Sequence, residues 1–185
     1  MAVEEPGYQV VASDRAFEVR RYQPMLVAEV VVSGDFEDAG NVGFRPLADY
    51  IFGNNVARAK IAMTAPVTQQ NAVGEKIAMT APVMQQADGQ RQIVRFTMPA
   101  GYTLETLPAP RNPQVKLKQV ESATYAVVRY SGRWTEQSYR EQLANLQREI
   151  SARGLVAAGA PVWARYDAPF KPWFMRRNEI MIPVQ

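Results

Sequence analysis

Two identical octapeptides carry the residues of this chain whose types and spacing best suit binding chemistry. The string Lys-Ile-Ala-Met-Thr-Ala-Pro-Val occupies positions 60–67 and recurs unchanged at 76–83. Each copy places one methionine, Met63 or Met79, among small and β-branched residues. Methionine is polarisable and adaptable, so it suits the wall of a pocket for a flat apolar ligand, and its sulfur can ligate iron. The alternative is that both side chains are ordinary core filling.

Basic side chains stand just before the apolar part of each copy. Arg58 and Lys60 precede the first, and Lys76 opens the second. A cation at the rim of an apolar pocket is a suitable partner for a ligand carboxylate. The alternative is that these are edge-strand cations that discourage aggregation.

The segment 166–179 combines aromatic residues, prolines and charges. Its prolines and aromatic rings suit a rigid apolar wall. The run Arg176-Arg177-Asn178-Glu179 suits either an anion site or a buried network of ion pairs that pins the last strand. The sequence favours the structural alternative, because Asn and Glu beside Arg satisfy one another.

Two missing residue types exclude whole classes of function. The chain has neither cysteine nor histidine, which excludes disulfides, thiol catalysis, serine–histidine triads and zinc sites built on histidine. Carboxylates are scattered, and no glycine-rich phosphate loop is present. We therefore predict a protein that is not an enzyme.

Charge and hydropathy predict the surroundings of the chain. The net charge is +3 with the basic residues spread along the sequence, so a nucleic-acid partner is not expected. No stretch approaches the roughly 20 apolar residues of a membrane span. Glu4 and Glu5 stand where a signal peptide needs basic residues. These features predict a cytoplasmic protein without a membrane span; the oligomeric state is left open.

Hydrophobic periodicity predicts a mixed fold. A helix over 42–52 carries Phe44, Leu47, Ala48 and Ile51 at helical spacing, and a second helix spans 136–153. The two octapeptides alternate like the arms of a hairpin, with their prolines at an edge or at strand ends. Further strands are predicted at 8–13, 17–22, 25–32, 92–98, 115–120, 124–130, 161–166 and 179–183.

A faint internal repeat predicts the architecture. Residues 30–36 and 128–134 both end an apolar strand in Ser-Gly-x-aromatic, and a predicted helix follows each. Each half then reads strand, helix, strand, strand, over approximately 17–98 and 115–185. We predict an α+β fold with a curved, barrel-like, mostly antiparallel sheet built from two quasi-repeated halves and two main helices. A ligand cleft between the halves follows from that geometry.

Several motifs together resemble one known family over nearly the whole chain. They are Phe-Glu-Val-Arg-Arg-Tyr at 17–22, the two octapeptides, Met98-Pro99 followed by Tyr102, Tyr130-Ser131-Gly132, and the segment 166–179 with its Arg-Arg-Asn-Glu run. In these residues the chain is similar to the SOUL/haem-binding protein family. The resemblance implies one SOUL-like haem-binding domain over 1–185, with an architecture shared by effector-binding modules of the gyrase-inhibitory type.

The resemblance also implies a function: non-enzymatic binding of haem or a related tetrapyrrole in an apolar cleft beside the first helix, for buffering, transport or sensing. On this basis Met63 and Met79 would face the ring, Arg58 and Lys60 would meet its carboxylates, and iron would bind without histidine. One wall would comprise Phe44, Leu47, Ala48, Ile51 and Phe52. The alternative is an effector-type module for another amphipathic small molecule. A third class, an enzyme using Glu and Tyr, is less favoured.

Overall fold

The structure is a computed structural model, and it describes residues 3–57 and 74–185. The helices are α1 (Phe36–Ile51) and α2 (Glu136–Ala152), and a 3₁₀ turn spans Trp173–Met175. The strands are β1 (Tyr8–Asp14), β2 (Phe17–Tyr22), β3 (Met25–Ser33), β4 (Asn55–Val56), β5 (Val83–Asp88), β6 (Arg91–Thr97), β7 (Ala109–Pro110), β8 (Lys116–Val120), β9 (Ala123–Tyr130), β10 (Val162–Arg165) and β11 (Asn178–Pro183). Within the described ranges, no helix has the length and apolar character needed to cross a membrane.

Nine strands form one curled sheet in the order β1-β2-β9-β11-β10-β5-β6-β3-β8. Every neighbouring pair in that sheet is antiparallel. The two short strands β4 and β7 pair separately. The predicted fold class, a curved antiparallel sheet with two main helices, is confirmed.

The sheet contains two copies of one unit that exchange a strand. The units β3-α1-β5-β6 and β9-α2-β10-β11 each read strand, helix, strand, strand, and they meet where β5 pairs with β10. The strand before each unit crosses to the other: β2 pairs with β9, and β8 pairs with β3. Each half is therefore completed by the strand that leads into its counterpart, and the halves cannot part without breaking these pairings.

Helix α1 begins six residues before the predicted start at 42. The Asp35 side chain caps it by accepting a hydrogen bond from the backbone N–H of Asp38 (3.0 Å), and Glu37 and Asp38 add negative charge to the first turn. Pro46 lies inside the helix rather than in its first turn. The predicted start at 42 would have put Pro46 near the first turn, so the start was predicted too late. Helix α2 occurs as predicted, with Thr135 as its cap.

The second octapeptide is not a strand, so this part of the predicted hairpin is wrong. Residues 76–79 have no regular secondary structure, and β5 begins only at Val83. The chain here is held by individual bonds: the Asn55 side chain donates to the Glu75 carbonyl and accepts from its N–H, and the Ile77 N–H donates to the Ile51 carbonyl. These partners replace a strand ladder. The first octapeptide lies outside the described residues.

The two helices cover the same face of the sheet. Helix α1 packs over β3 and β6, where Leu47 and Ile51 meet Val30 and Phe96. Helix α2 packs over β9 and β11, where Leu146 and Ile150 meet the core of the second half. A third buried cluster contains no helix residue and lies on the opposite, concave face.

Gly74 offers a test of how the second octapeptide is held. A Cβ on this residue would overlap the carbonyl oxygen of Gly53, and backbone cannot move aside cheaply. We expect Gly74→Ala to lower the free energy of unfolding by about 1–3 kcal/mol. Urea denaturation followed by circular dichroism measures this. Gly101→Ala is the matched control, because nothing lies within 4 Å of its Cβ. Equal urea midpoints for Gly74→Ala and Gly101→Ala would contradict the close approach of Gly74 to the Gly53 carbonyl.

Candidate functional site

A band of methionine and tyrosine side chains lines the concave face of the sheet. Successive side chains of a strand point to opposite faces of the sheet, and this alternation places the band on one face. On β11, Ile180 and Ile182 pack in the helix-facing core, and Met181 between them points to the other side. The band unites the two halves of the fold. Its members are Tyr22, Met25, Met84, Tyr125, Tyr166 and Met181.

Two neighbouring spaces adjoin the band, an inner cleft lined by all of its members and an outer basin that Met25 reaches. The inner cleft lies directly on it, is closed over by Pro6 and Pro82, and has a volume of only about 40 Å³. The outer basin is open and has a volume of about 470 Å³, which is in the usual range for small-molecule sites. Pro6 and Met25 line both spaces. The basin and the cleft therefore adjoin each other.

The N-terminal segment forms one wall of the basin. The carbonyl of Glu4 accepts from the N–H of Ala81 (2.9 Å), and its carboxylate accepts from the N–H of Ala100 (2.8 Å). The Gly7 carbonyl accepts from the N–H of Gln23 (3.2 Å). Residues 4–7 are therefore fastened at both ends. The opposite wall is apolar, with Leu26, Met98, Tyr102 and Leu104.

The tyrosines of the band are held in their protonated form. Burial raises the pKa of Tyr22 to about 12, and it also raises the pKa values of Tyr125 and Tyr166. The Tyr22 hydroxyl donates to the sulfur of Met181 (3.5 Å), and the Tyr166 hydroxyl donates to Glu179 (2.8 Å). At neutral pH these phenols act as hydrogen-bond donors, not as phenolate ligands for a metal.

The carboxylate deepest on this face is fully paired. The side chain of Glu179 is inaccessible to solvent, and it bonds Arg20 at 2.7 Å and Arg177 at 2.9 Å. Burial by itself would raise the pKa of Glu179, but the hydrogen bond and charge of Arg20, with the charge of Arg177, outweigh it and hold the pKa below its usual range. Arg177 and Glu179 thus form the ion-pair network that was the structural alternative at the sequence level.

The other half contains a matching network. Glu29 on β3 is buried and pairs with Arg95 on β6 (2.8 Å) and with Lys118 on β8. Burial opposes ionisation here too, but the hydrogen bonds of Lys118 and Arg95 hold the pKa of Glu29 below its usual range. Each half therefore neutralises one buried glutamate with two cations. Among the described residues, no cluster of three or more acidic side chains could hold a metal ion.

The residues that the sequence assigned to a ligand lie in different environments: some are buried, some are exposed, and some fall outside the described residues. Leu47, Ala48 and Ile51 are buried in the core between α1 and the sheet. Phe44 is half-buried, with its ring against Phe96 at 5.3 Å. Phe52 and Met79 are the exposed members, at 60% and 42%. Arg58, Lys60 and Met63 lie outside the described residues. The assignment of these nine residues to a ligand stays a prediction.

The sequence reasoning did not assign Met25, Met84 or Met181 to a site. The signal available in the sequence was the alternation of side chains between the two faces of each strand. Each of these residues sits out of phase with the aliphatic residues that face a helix, as Met181 does between Ile180 and Ile182. That signal becomes readable only when both helices are known to cover the same face.

The fold is a two-fold repeated α+β module with one curved antiparallel sheet. The model of the SOUL heme-binding protein family matches residues 3–73 and 68–183. The chain belongs to this family.

Curated relatives agree with the match. Heme-binding protein 2 of Homo sapiens is 28% identical over 191 residues, covering 96% of this chain and 88% of the relative. Heme-binding protein 1 of Xenopus laevis is 26% identical over 166 residues, covering 89% of this chain and 82% of the relative. Among solved structures, the C-terminal domain of EcmrR superposes with a TM-score of 0.63 at 12% identity, covering 96% of this chain and 98% of that one. This last likeness concerns the fold.

Removing the charge of Glu179 tests what the buried network contributes. Glu179→Gln removes the buried anion that Arg20 and Arg177 share and leaves them only Glu18 and Glu5, so we expect the free energy of unfolding to fall by about 3–5 kcal/mol at pH 7. Urea denaturation measures the loss. Glu136→Gln, which breaks an exposed ion pair with Arg140, is the control and should cost less than about 0.5 kcal/mol.

The loss of stability caused by Glu179→Gln should shrink as the pH falls. The folded-state pKa of Glu179 lies below its unfolded value of about 4.3, so its contribution is complete above that pH and disappears as pH falls through the folded pKa. Wild type and Glu179→Gln should converge on acidification below about pH 4. A difference between them that stays constant down to pH 3 would contradict this account.

Proposed function

We propose that this chain binds haem or a related tetrapyrrole without transforming it, with the ring inserted through the basin against the concave face. The observation that carries the proposal is the methionine–tyrosine band beside an open basin of about 470 Å³. Membership of the SOUL heme-binding protein family supports the ligand class. Reversible holding of the ring would serve buffering, transport or sensing.

The side chains present fit recognition of the ring by shape. Thioethers and phenol faces pack well on a flat conjugated surface. The chain has no histidine, and the phenols stay protonated, so the thioethers of Met25, Met84 and Met181 are the iron ligands that the band offers. When bound, haem would supply an iron centre, but the protein's own contribution is the apolar plane. Metal-free porphyrin should therefore bind about as well as haem.

The charges around the site support holding rather than turnover. Glu29 and Glu179 are each neutralised by two cations, so neither is placed to act as a free base. The rim of the basin carries Glu4 and Glu5, which would repel ring carboxylates. We expect the carboxylates to point away from this rim. Arg58 and Lys60 remain the partners that the sequence proposes for them.

Titration with ferric haem, followed by absorbance, tests the proposal and its location. We expect saturable binding by the wild type and at least about tenfold weaker binding by Met25→Ala/Met84→Ala, equivalent to about 1.4 kcal/mol. The matched pair Phe52→Ser/Met79→Ala alters the surface that the sequence predicted and should change affinity less than about twofold. Met25→Leu/Met84→Leu keeps the apolar plane and isolates the effect of sulfur.

Each outcome of the haem titration has a different meaning. Loss in the Phe52/Met79 pair alone would move the ring to the end of α1, as the sequence predicted. Loss of haem binding in the leucine pair, with metal-free porphyrin unaffected, would show that iron ligation matters and would contradict recognition by shape. Absence of saturable binding of either ring by the wild type would contradict the proposal as a whole.

A smaller amphipathic molecule is the second candidate ligand. The observation in its favour is the inner cleft, whose volume of about 40 Å³ is far below that of a tetrapyrrole. A compact aromatic ligand would need less opening between Pro6 and Pro82 than a ring does. Thermal-shift competition between such compounds and protoporphyrin distinguishes the two, because the better ligand stabilises the folded state more at equal concentration.

A further inference from the structure

The segment that follows β10 exposes an unusual set of large apolar side chains. Phe170 is 90% exposed, Trp173 47%, Phe174 60% and Met175 57%. No other stretch of six consecutive described residues exposes four large hydrophobic side chains. Exposed apolar surface gathered in one place marks a site of interaction. The segment 168–177 is called the aromatic loop below.

The aromatic loop satisfies much of its own backbone. The Arg176 guanidinium folds back and donates to the carbonyls of Pro169 (2.6 Å) and Lys171 (2.8 Å). Further bonds run from the Lys171 N–H to Ala168 and from the Met175 N–H to Pro172. Prolines contribute no N–H group. A loop with few unpaired backbone groups can enter an apolar medium at low cost.

The aromatic loop is rich in cations, and two of them are paired with carboxylates from outside it. Its sequence contains Lys171, Arg176 and Arg177 and no acidic residue. The exposed Arg133 from the segment before α2 lies over the Trp173 ring at 5.5 Å. The nearest acidic group in sequence, Asp167, precedes the loop and is held by Lys171 and the Arg177 N–H. Arg177 is likewise paired with Glu179 and Glu5, so among the described residues Arg133 and Arg176 are the cations beside the apolar tip that form no ion pair with a carboxylate.

We propose that the aromatic loop docks this protein onto the surface of a bilayer containing anionic phospholipids. Trp, Phe and Met would enter the interface between headgroups and acyl chains, and Arg133 and Arg176 would meet lipid phosphates. A bilayer fits better than a protein groove because Phe170 projects almost fully into solvent, as a wedge does. An aromatic tip flanked by Arg133 and Arg176 matches both layers of a membrane surface.

Docking is independent of tetrapyrrole binding, because the residues involved line neither the basin nor the inner cleft. Attraction by surface charge falls within a Debye length, so binding should weaken as salt rises. Burial of the aromatic side chains adds a part that salt does not screen. Both parts are needed, since a single small apolar anchor holds a protein at a membrane only weakly.

Vesicle flotation tests the proposal with the full chain. We expect the wild type to float with phosphatidylcholine vesicles containing about 30% phosphatidylglycerol, and at least about tenfold less with phosphatidylcholine alone. Phe170→Ser/Phe174→Ser should reduce flotation at least about tenfold. The control Val10→Ser/Val11→Ser removes two exposed apolar side chains from β1, at 46% and 53% exposure, and should float as the wild type does.

Tryptophan fluorescence gives a second readout. Trp173 is 47% exposed, whereas Trp163 is buried, so contact with lipid should shift the emission of Trp173 to shorter wavelength. Quenching by brominated phospholipid should disappear in Trp173→Phe. Equal flotation of the loop variant and the β1 control would overturn the proposal. So would a loop-dependent dimer on size exclusion without vesicle binding, because it would make a second copy the occupant.

Discussion

The neutralisation of Glu179 by Arg20 and Arg177 is the interaction on which the concave face depends. A buried carboxylate without cations would either take up a proton or draw water into the sheet. Paired as it is, it lets Tyr166 donate to it and Tyr22 stay protonated beside it. The ion pair also reaches from β11 across β9 to β2. One buried charge therefore holds together three strands and keeps the neighbouring surface apolar.

The strand exchange decides where a ligand site can form. Because β2 completes the second half and β8 completes the first, the halves share one continuous sheet and one concave face. The methionines of the band come from both: Met25 from β3, Met84 from β5 and Met181 from β11. A flat ligand bound on this band would contact both halves at once. Within the part of the chain that the structure describes, no residue of either helix lines the basin or the inner cleft.

Much of the fold followed from patterns that are local. Helix α2 and the strands on either side of it carry strong periodicity and clear caps, and the prediction matched them to within one or two residues. The start of α1 was missed because the prediction used the apolar spacing from Phe44 to Ile51 and did not consider a cap at Asp35. The second octapeptide alternates like a strand, but its partners are the Asn55 side chain and the end of α1. Such tertiary partners leave no trace in periodicity.

The two copies of the octapeptide differ in the residues that flank them. The family match runs in two overlapping segments, each holding one copy. The second copy leads into β5, where Gly74 fits against Gly53 and Met84 joins the concave band. Two residues before the first copy stands Arg58 in place of Gly74, and just after it stands Thr68 in place of Met84. A side chain at the glycine position would overlap backbone, and threonine would put a hydroxyl into an apolar face. Identical octapeptides are thus distinguished by the residues on either side, and only the second is suited to the path that leads into β5.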